Sequence, residues 1–261
     1  QYFQTETVHQ ETQPLAALET VREYCSAILD GTESAGHCMK LAAARSLAEI
    51  DGDGPVWWDS EELERVAAFV STLTLHKFGG IPAMLHPWQL HLVGALLARK
   101  GADGLLATGY LCLEIGKGNA KSTTAAMIAL YLLATTEHSL ELFSLATKRE
   151  QAARIIETAG SLALNCSGLT EDEGGDIQVR HNMLRGKSTR SFLQSIASSV
   201  RTADSLEGRL YIADECGRYT DNVLGKMAVA LGKPGPETRQ LLMVTTPGQN
   251  RSNPYYRKRD T

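Results

Sequence analysis

Hydrophobic residues recur at helical spacing over the first part of the chain. From Glu11 to about Ile50, apolar side chains follow one another every three or four residues, and Asp30-Gly31 interrupts this period. The pattern therefore predicts two helices in this stretch. A further amphipathic stretch continues to about His76. Either Asp59 or Ser60 can cap the helix that it predicts, because both side chains accept a hydrogen bond from the backbone.

A turn-rich segment separates this helical part from the rest of the chain. Gly79-Gly80 and Pro82 interrupt both helical and strand patterns, so we place a boundary there. We predict an N-terminal helical region over residues 1–80 and a separate core over residues 81–261.

Beyond this boundary, short apolar runs alternate with amphipathic stretches. The runs predict strands at Tyr110–Glu114, Leu142–Ala146, a strand pair at Ile177–Leu184 and Ser191–Ser195, Leu210–Ala213 and Leu241–Thr245. Helices are predicted from Pro87 to just before Gly101, over Ser122–Thr135 and over Arg149–Leu164. Strands that alternate with helices are typical of an α/β fold with a mostly parallel sheet.

Composition narrows the class of protein. Hydrophobic residues make up 43% and charged residues 21% of the 261 residues, as in a soluble globular protein, and the longest apolar run is too short to cross a bilayer. The formal net charge is −4, so any contact with DNA must come from a local basic patch. The five cysteines are scattered without a CxxC pair, which argues against a disulfide framework and a thiolate zinc site.

One strand leads into a loop of small residues with the chemistry of a phosphate-binding site. The segment Gly116–Thr123 contains Lys121-Ser122 and is predicted to open a helix. Backbone N–H groups at a helix N-terminus face phosphate oxygens, a lysine neutralises their charge and a hydroxyl binds Mg²⁺. Ile115 and Ala120 stand where this pattern usually has glycine. We expect Ala120 to permit close backbone approach provided that its φ is negative.

A second strand ends in two acids. Asp214-Glu215 follows the apolar run Leu210–Ala213, about 90 residues after Lys121. In a nucleotide-binding sheet the ligands gather at the carboxyl ends of the strands. We therefore expect Asp214 to hold Mg²⁺ and Glu215 to orient the attacking water.

These segments, taken in order, resemble the large terminases of tailed bacteriophages. The similar segments are Lys117–Ser122, Leu85–Gln89, Ala146–Ala152, the acid pair and Leu241–Gly248. The resemblance implies a P-loop NTPase of the ASCE type, with helices on a mostly parallel sheet, that uses ATP and Mg²⁺. It further implies translocation of double-stranded DNA into a procapsid by a homo-oligomeric ring at a capsid portal, together with a small terminase subunit, in the host cytoplasm and without a membrane.

The resemblance also implies a set of site residues. Nucleotide contacts are expected from Gly116, Gly118, Asn119, Ala120, Lys121, Ser122, Thr123, Gln89, Trp88, Thr245 and Thr246. Gln89 would read the adenine edge, with Trp88 as support, and Thr245 with Thr246 would sense the γ-phosphate. The expected metal ligands are Ser122 and Asp214, and the catalytic set is Glu215, Lys121, Lys117 and Arg201.

Ring motors of this family take one arginine from a neighbouring subunit. Arg201 is the first candidate for this role and Arg209 the second. Two basic clusters could hold DNA phosphates without reading sequence. The clusters are Arg180, Arg185, Lys187 and Arg190, and Lys148, Arg149 and Arg154.

Two other functions stay open at this point. A helicase-like, DNA-dependent ATPase shares the phosphate loop, but Cys216-Gly217 after the acid pair departs from the familiar helicase continuation. A nucleotide-binding adaptor without hydrolysis is the other, because Ala120 replaces a glycine. The family's C-terminal nuclease domain is expected to be absent from this chain, which ends at Thr261.

Overall fold

A seven-stranded sheet with helices packed on it forms the centre of the molecule. The computed structural model describes residues 17–75, 79–146, 149–197, 207–219, 231, 238–248 and 252–259.

The described residues of the N-terminal part form four helices that pack on one another, and the last of them is buried on almost every side. They are α1 (Ala17–Asp30), α2 (His37–Ile50), α3 (Ser60–Thr72) and α4 (Pro87–Leu97). Asp59 is the residue that caps α3, since its side chain accepts from the backbone N–H of Glu62 at 3.0 Å. The helix ends at Thr72, before the predicted His76, because Thr74–Leu75 (β2) pairs antiparallel with Ile81–Pro82 (β3).

A buried polar network joins these helices to the start of the core. Trp57–Trp58 (β1) pairs antiparallel with Arg99–Lys100 (β4). Arg99 donates to both carboxylate oxygens of the buried Glu49, at 2.7 and 2.6 Å, and Trp58 donates to one of them at 3.1 Å. Burial alone would raise the pKa of Glu49, yet these donors lower it below its usual value.

A buried histidine extends the network. The Nε2 atom of His91 lies 2.9 Å from the hydroxyl of Ser46, and its ring stacks on Trp58 at a centroid distance of 6.0 Å. Burial lowers the pKa of His91 to about 4, with a smaller contribution from the charge of Arg45. The imidazole is therefore neutral at physiological pH.

The seven-stranded sheet has the order β5-β11-β10-β6-β9-β8-β7. Its strands are β5 (Tyr110–Glu114), β6 (Glu141–Ala146), β7 (Ile177–Arg180), β8 (Met183–Gly186), β9 (Phe192–Ala197), β10 (Leu210–Asp214) and β11 (Gln240–Thr245). Strands β5, β11, β10, β6 and β9 run parallel, and β8 and β7 add antiparallel pairs at one edge.

The predicted strand pair at residues 177–195 is a three-stranded arrangement. A turn at His181-Asn182 divides the predicted strand Ile177–Leu184 into β7 and β8, and β8 then pairs with β9. Sequence alternation does not distinguish one long strand from a tight hairpin when the turn lacks glycine and proline. The mostly parallel α/β fold itself is confirmed.

In the part of the chain that the structure describes with its helix bounds, three helices accompany the sheet: α5 (Lys121–Thr135), α6 (Arg149–Leu164) and the short α7 (Pro254–Arg259). The larger apolar cluster runs without a break from Val21 of α1 to Leu242 of β11, and a smaller one joins Tyr211 to Tyr255 of α7. The N-terminal helices and the sheet thus share one core. The division at residues 80 and 81 stays a prediction. Within the described ranges, no helix has the length and apolarity that crossing a bilayer requires.

Candidate functional site

The loop between β5 and α5 has the form that a phosphate site needs. Strand β5 ends at Glu114, residues 116–120 are exposed, and α5 begins at Lys121. The first intrahelical bond of α5 runs from Thr124 N–H to Ala120 C=O at 2.8 Å. The N–H groups of residues 121–123 therefore have no acceptor within the helix, and the helix dipole adds partial positive charge at this end.

Ala120 has a backbone conformation that the sequence did not predict. Its φ is 50° and its ψ is 24°, in the left-handed region, so the condition of a negative φ that we attached to close backbone approach is not met. The chain changes direction between the loop and the axis of α5, and a residue with positive φ at the N-cap makes this change. Gly118 has a φ of 86° in the same loop. An alanine in this region carries a cost that a glycine does not.

Lys121 folds back over the loop that precedes it. Its Nζ donates to the carbonyl of Ile115 at 3.1 Å and to that of Gly116 at 2.9 Å. The carboxamide of Asn119 also donates to Gly116 C=O, at 3.2 Å. The ammonium is thus held in the concavity of the loop. Ser122 and Thr123 are half-buried on the first turn of α5, and Lys117 is exposed at the tip of the loop.

The predicted acid pair lies at the carboxyl end of β10. Asp214 is only 6% exposed, and its Oδ1 accepts from Glu215 N–H at 2.9 Å. Burial raises the pKa of Asp214 above its ordinary value, and the charge of Glu215 acts in the same direction. Lys121 and Arg154 lower that pKa, so both cations lie within electrostatic range of the carboxylate. Lys121 and Asp214 therefore lie close enough for their charges to interact.

Glu215 also has a left-handed backbone, with a φ of 53°. It precedes a 3₁₀ turn at Cys216–Arg218, and its carboxylate lies 3.7 Å from Nε of Arg218. The side chain of Arg218 is 66% exposed, so this pair is weak and the carboxylate can exchange it for another partner.

Strand β11 lies between the phosphate-loop strand and the acid strand. Thr245 is opposite Glu114 of β5, and Val244 is opposite Asp214 of β10. The hydroxyl of Thr245 accepts from Gly217 N–H at 3.2 Å. Its neighbour Thr246 is half-buried at the end of the same strand. Thr245 thus lies between the end of β5, which leads into the loop, and the acid pair at the end of β10.

Strand spacing sets the width of the site. Adjacent strands lie about 4.8 Å apart, so the ends of β5 and β10 are about 10 Å apart across β11. The carboxyl ends of all three strands are on one edge of the sheet because the three strands are parallel.

Gln89 and Trp88 are placed on α4 beside the loop. The Gln89 Oε1 accepts from His86 N–H at 2.8 Å, and Nε2 donates to Thr124 Oγ1 at 2.7 Å. Gln89 is buried and Trp88 is half-buried against the core. Thr124 in turn bonds to the carbonyl of Ala120, so Gln89 is linked to the phosphate loop by two hydrogen bonds.

The arginine candidates are dispersed. Arg201 lies outside the described residues, as do Lys148 and the side chain of Arg149. Arg209 immediately precedes β10 and so lies at the amino end of the strand, whereas Asp214 is at its carboxyl end. Its guanidinium donates to Gln240 Oε1 at 2.8 Å. Arg154 was predicted only as part of a DNA-binding cluster, and its electrostatic effect on Asp214 is a finding of the structure.

No helix was predicted for the segment 252–259, although the structure has one at Pro254–Arg259. Asn253 donates to the carbonyls of Gly217 and Tyr219, and Arg259 pairs with Glu114. Asn253-Pro254 was readable as a helix start, since asparagine is a good cap and proline suits the first helical position. Nothing in the sequence indicates what this helix contacts.

Comparisons with known proteins identify a family and a related fold. A family model described as the ATPase domain of the terminase large subunit matches residues 87–261. The crystal structure of the HK97 bacteriophage large terminase is similar with a TM-score of 0.59 and 24% identity, over 73% of this chain and 39% of that chain. The large terminase ATPase domain of Thermus phage P74-26 matches with a TM-score of 0.38 and 15% identity, over 53% of this chain and 59% of that domain. No curated protein sequence matches the chain.

Proposed function

The chain belongs to the family of terminase large subunit ATPase domains, and on this premise we propose that it hydrolyses ATP to drive double-stranded DNA into a viral procapsid. It spans 39% of the length of the HK97 large terminase. One observation carries the proposal: Lys121 on the loop, Thr245 on β11 and Asp214-Glu215 on β10 meet at one edge of the sheet.

Binding of the triphosphate falls to the loop and to the first turn of α5. Its oxygens would take the N–H groups of residues 121–123, which have no acceptor within the helix. Lys121 would leave the carbonyls of Ile115 and Gly116 for the β- and γ-phosphates. Lys117 is exposed at the tip, where it can reach the γ-phosphate.

Ser122 and Asp214 would hold Mg²⁺, the ion that neutralises the charge of transferring phosphates. The donor set fits this ion, since hydroxyl and carboxylate oxygens are hard ligands. A buried aspartate with a raised pKa has little solvation to lose when a cation arrives. The site therefore gains more from the ion than an exposed pair of oxygens would.

Glu215 would orient the water that attacks the γ-phosphate. Its carboxylate is at the mouth of the site and is held only by the exposed Arg218. A carboxylate in weak pairing can turn to accept a proton from water. Thr245, which bonds to Gly217 of the same turn, would sense the γ-phosphate together with Thr246.

Gln89 would read the adenine edge with Trp88 as support. Its carboxamide still has one N–H and one oxygen lone pair beyond the bonds to His86 and Thr124. An arginine from a neighbouring subunit, Arg201 first and Arg209 second, would complete the site in a ring. The arrangement makes hydrolysis depend on assembly.

Translocation would rest on basic side chains that contact DNA phosphates. Arg185 lies on β8, and Arg190 follows the β7–β8 hairpin. This hairpin is at the opposite side of the sheet from β5. Lys187 of the same cluster lies 3.7 Å from Glu171, an exposed pair that phosphate can displace. The portal, the small terminase subunit and the host cytoplasm complete the setting proposed for this chain.

ATP turnover by the chain, with and without double-stranded DNA, tests the proposal. We expect Mg²⁺-dependent turnover that falls by at least about 100-fold in Lys121→Ala and in Glu215→Gln. Lys121→Ala should also weaken binding of a fluorescent ATP analogue, whereas Glu215→Gln should bind it as the parent does. Equal turnover in the parent and both variants would refute the site.

Turnover, combined with assays of strand separation and packaging, separates the two other functions. Binding of ATP without turnover, with DNA present, would establish a nucleotide-binding adaptor. Turnover coupled to strand separation of a DNA duplex would establish a helicase-like ATPase. Packaging of DNA by capsids that carry a portal, dependent on Lys121, is the result that the proposed function requires.

A further inference from the structure

The short helix α7 packs directly behind the proposed hydrolytic site. Tyr255 and Tyr256 are buried in the smaller apolar cluster together with Cys216 and Tyr219. The helix thereby covers the 3₁₀ turn that follows Glu215. Its position makes α7 the backing of the turn that carries the proposed water-orienting carboxylate.

Asn253 has two separate hydrogen-bonding roles at the start of this helix. Its Oδ1 accepts from Tyr255 N–H at 2.9 Å and so caps α7. Its Nδ2 donates to the carbonyl of Gly217 at 2.8 Å and to that of Tyr219 at 3.3 Å. One end of the carboxamide therefore stabilises the helix, and the other end holds the turn after Glu215.

The far end of α7 is attached to the base of the phosphate loop. Arg259 Nη1 lies 2.6 Å from Oε2 of Glu114, the last residue of β5, and both side chains are largely buried. The guanidinium also lies 5.0 Å from the ring centre of Tyr256, whose hydroxyl accepts from Gly248 N–H at 2.7 Å. One helix therefore connects the loop strand, the end of β11 and the acidic turn.

We infer that Asn253 is a positioning residue for hydrolysis: through the carbonyls of Gly217 and Tyr219 it fixes the turn that aims Glu215. This inference rests on the proposed function, because it concerns the same site. Asn253 acts through the backbone of the turn and does not itself reach the substrate.

Backbone strain explains why the turn needs an external support. Glu215 has a φ of 53°, a conformation that is unfavourable for a non-glycine residue and persists only where the surroundings over-determine it. Among the described residues, the supports of the turn include the bond from Gly217 N–H to Thr245 and the bond from the Tyr219 hydroxyl to Leu145 C=O at 2.7 Å. The Cys216 thiol donates to Val244 C=O, and Asn253 adds its two bonds. A Cβ at Gly217 would lie 2.9 Å from Thr245 Oγ1, so the turn is packed closely on β11.

The variant that separates the two roles of Asn253 is Asn253→Ser. Serine caps a helix about as well as asparagine, but it lacks the N–H donors that hold the two carbonyls. Asn253→Ala removes the cap as well. Tyr255→Phe is the matched control in the same helix, because among the described residues the buried Tyr255 hydroxyl has no hydrogen-bond partner.

Amide hydrogen exchange measures the turn directly. In Asn253→Ser we expect the amides of residues 217–219 to exchange about tenfold faster than in the parent, while those of α5 keep their rates. Tyr255→Phe should leave both rates unchanged. Unchanged exchange of the turn in Asn253→Ser would overturn the inference whether or not the chain hydrolyses ATP.

Steady-state kinetics tests the consequence for catalysis. Asn253→Ser should lower kcat for ATP about tenfold and leave KM within about twofold, because the binding loop is untouched. Parent-like kcat, combined with faster exchange, would show that the turn is held without positioning Glu215 and would overturn the inference. Absence of turnover in the parent itself would instead refute the proposed function, and the exchange result would still decide whether Asn253 holds the turn.

Discussion

Ala120 on the phosphate loop and Glu215 on the acidic turn share a left-handed backbone conformation, with φ values of 50° and 53°. Each residue lies beyond the carboxyl end of a strand and immediately precedes a helical turn, where the chain changes direction. Non-glycine residues in this region are uncommon, and they concentrate at functional sites. Two of the three such residues in the described structure flank the proposed site, the third being Arg190.

Replacing Ala120 with glycine should stabilise the protein. Glycine adopts a positive φ without a Cβ clash, and this gain exceeds the added freedom of the unfolded chain. We expect the free energy of unfolding to rise by about 0.5–1 kcal/mol, as measured by chemical denaturation, with ATP turnover at least equal to that of the parent.

Gly118→Ala is the matched control for that substitution. The added Cβ would have no heavy atom within 4 Å, but φ at this position is 86°. The variant should therefore lose about 1 kcal/mol of stability from backbone strain alone. A loss of stability in Ala120→Gly would contradict the strain assigned to residue 120.

Asp214→Asn should make the protein more stable and less active. Burial raises the pKa of Asp214, so the ionised carboxylate costs stability at neutral pH. The neutral form is favoured below the unfolded pKa, about 3.9, and that favourable contribution is lost as the pH rises through the folded pKa. We expect a higher Tm for Asp214→Asn at pH 7 without Mg²⁺ or nucleotide, and a difference that vanishes near pH 3.

Turnover completes the test of Asp214. Because asparagine keeps the acceptor for Glu215 N–H but carries no charge, Mg²⁺-dependent activity should fall by at least about 100-fold. A variant that is both destabilised at pH 7 and fully active would exclude the metal role.

Gln89→Ala should affect both stability and the choice of nucleotide. The substitution removes the bond to His86 N–H and the bond to Thr124, which together contribute about 2 kcal/mol to the free energy of unfolding. If the carboxamide also reads adenine, the preference for ATP over GTP in kcat/KM should fall about tenfold.

Thr124→Val separates these effects. It removes the same hydrogen bond to Gln89 but leaves the carboxamide in place, so stability should fall while the preference for ATP persists. An unchanged ATP preference in Gln89→Ala would limit this residue to capping α4 and joining it to α5.

His91 should make stability depend on pH in the mildly acidic range. Its folded pKa of about 4 is below the ordinary 6.5, so between these values the unfolded chain binds a proton that the folded protein does not. Stability from this group is fully present above pH 6.5 and is lost as the pH falls towards 4. The loss is on the order of 3 kcal/mol.

Denaturation of the parent and of His91→Gln across this range measures the contribution. Glutamine can still bond to Ser46, but it does not titrate, so the slope of stability against pH should be smaller in the variant. Equal slopes in the parent and the variant would show that His91 binds its proton as readily in the folded protein as in the unfolded chain.

The chemical groups of the site could be read from the sequence because they lie in short, local patterns. Lys121-Ser122 follows a loop of small residues, Asp214-Glu215 ends an apolar strand, and both patterns express local backbone requirements. The same holds for most strands, since the alternation of apolar runs and helices depends only on neighbouring residues. The turn at His181-Asn182 was missed because its residues do not mark a hairpin.

Relations between distant segments could not be read in this way. The placement of β11 between β5 and β10 depends on which crossover buries the most apolar surface, and no local pattern records it. The positive φ of Ala120 follows from the angle between β5 and α5, which packing sets. The electrostatic effect of Arg154 on Asp214 likewise depends on how α6 packs near the end of β10.

By itself, the sequence determined the α/β class and located the candidate phosphate loop and acid pair, because each is set by the chemistry of a few consecutive residues. Only the tertiary structure decided that Thr245 stands between them, that Gln89 joins α4 to the loop helix, and that Asn253 holds the turn after Glu215. These contacts join residues far apart in the chain, and their energies depend on burial and distance, which exist only once the sheet has formed.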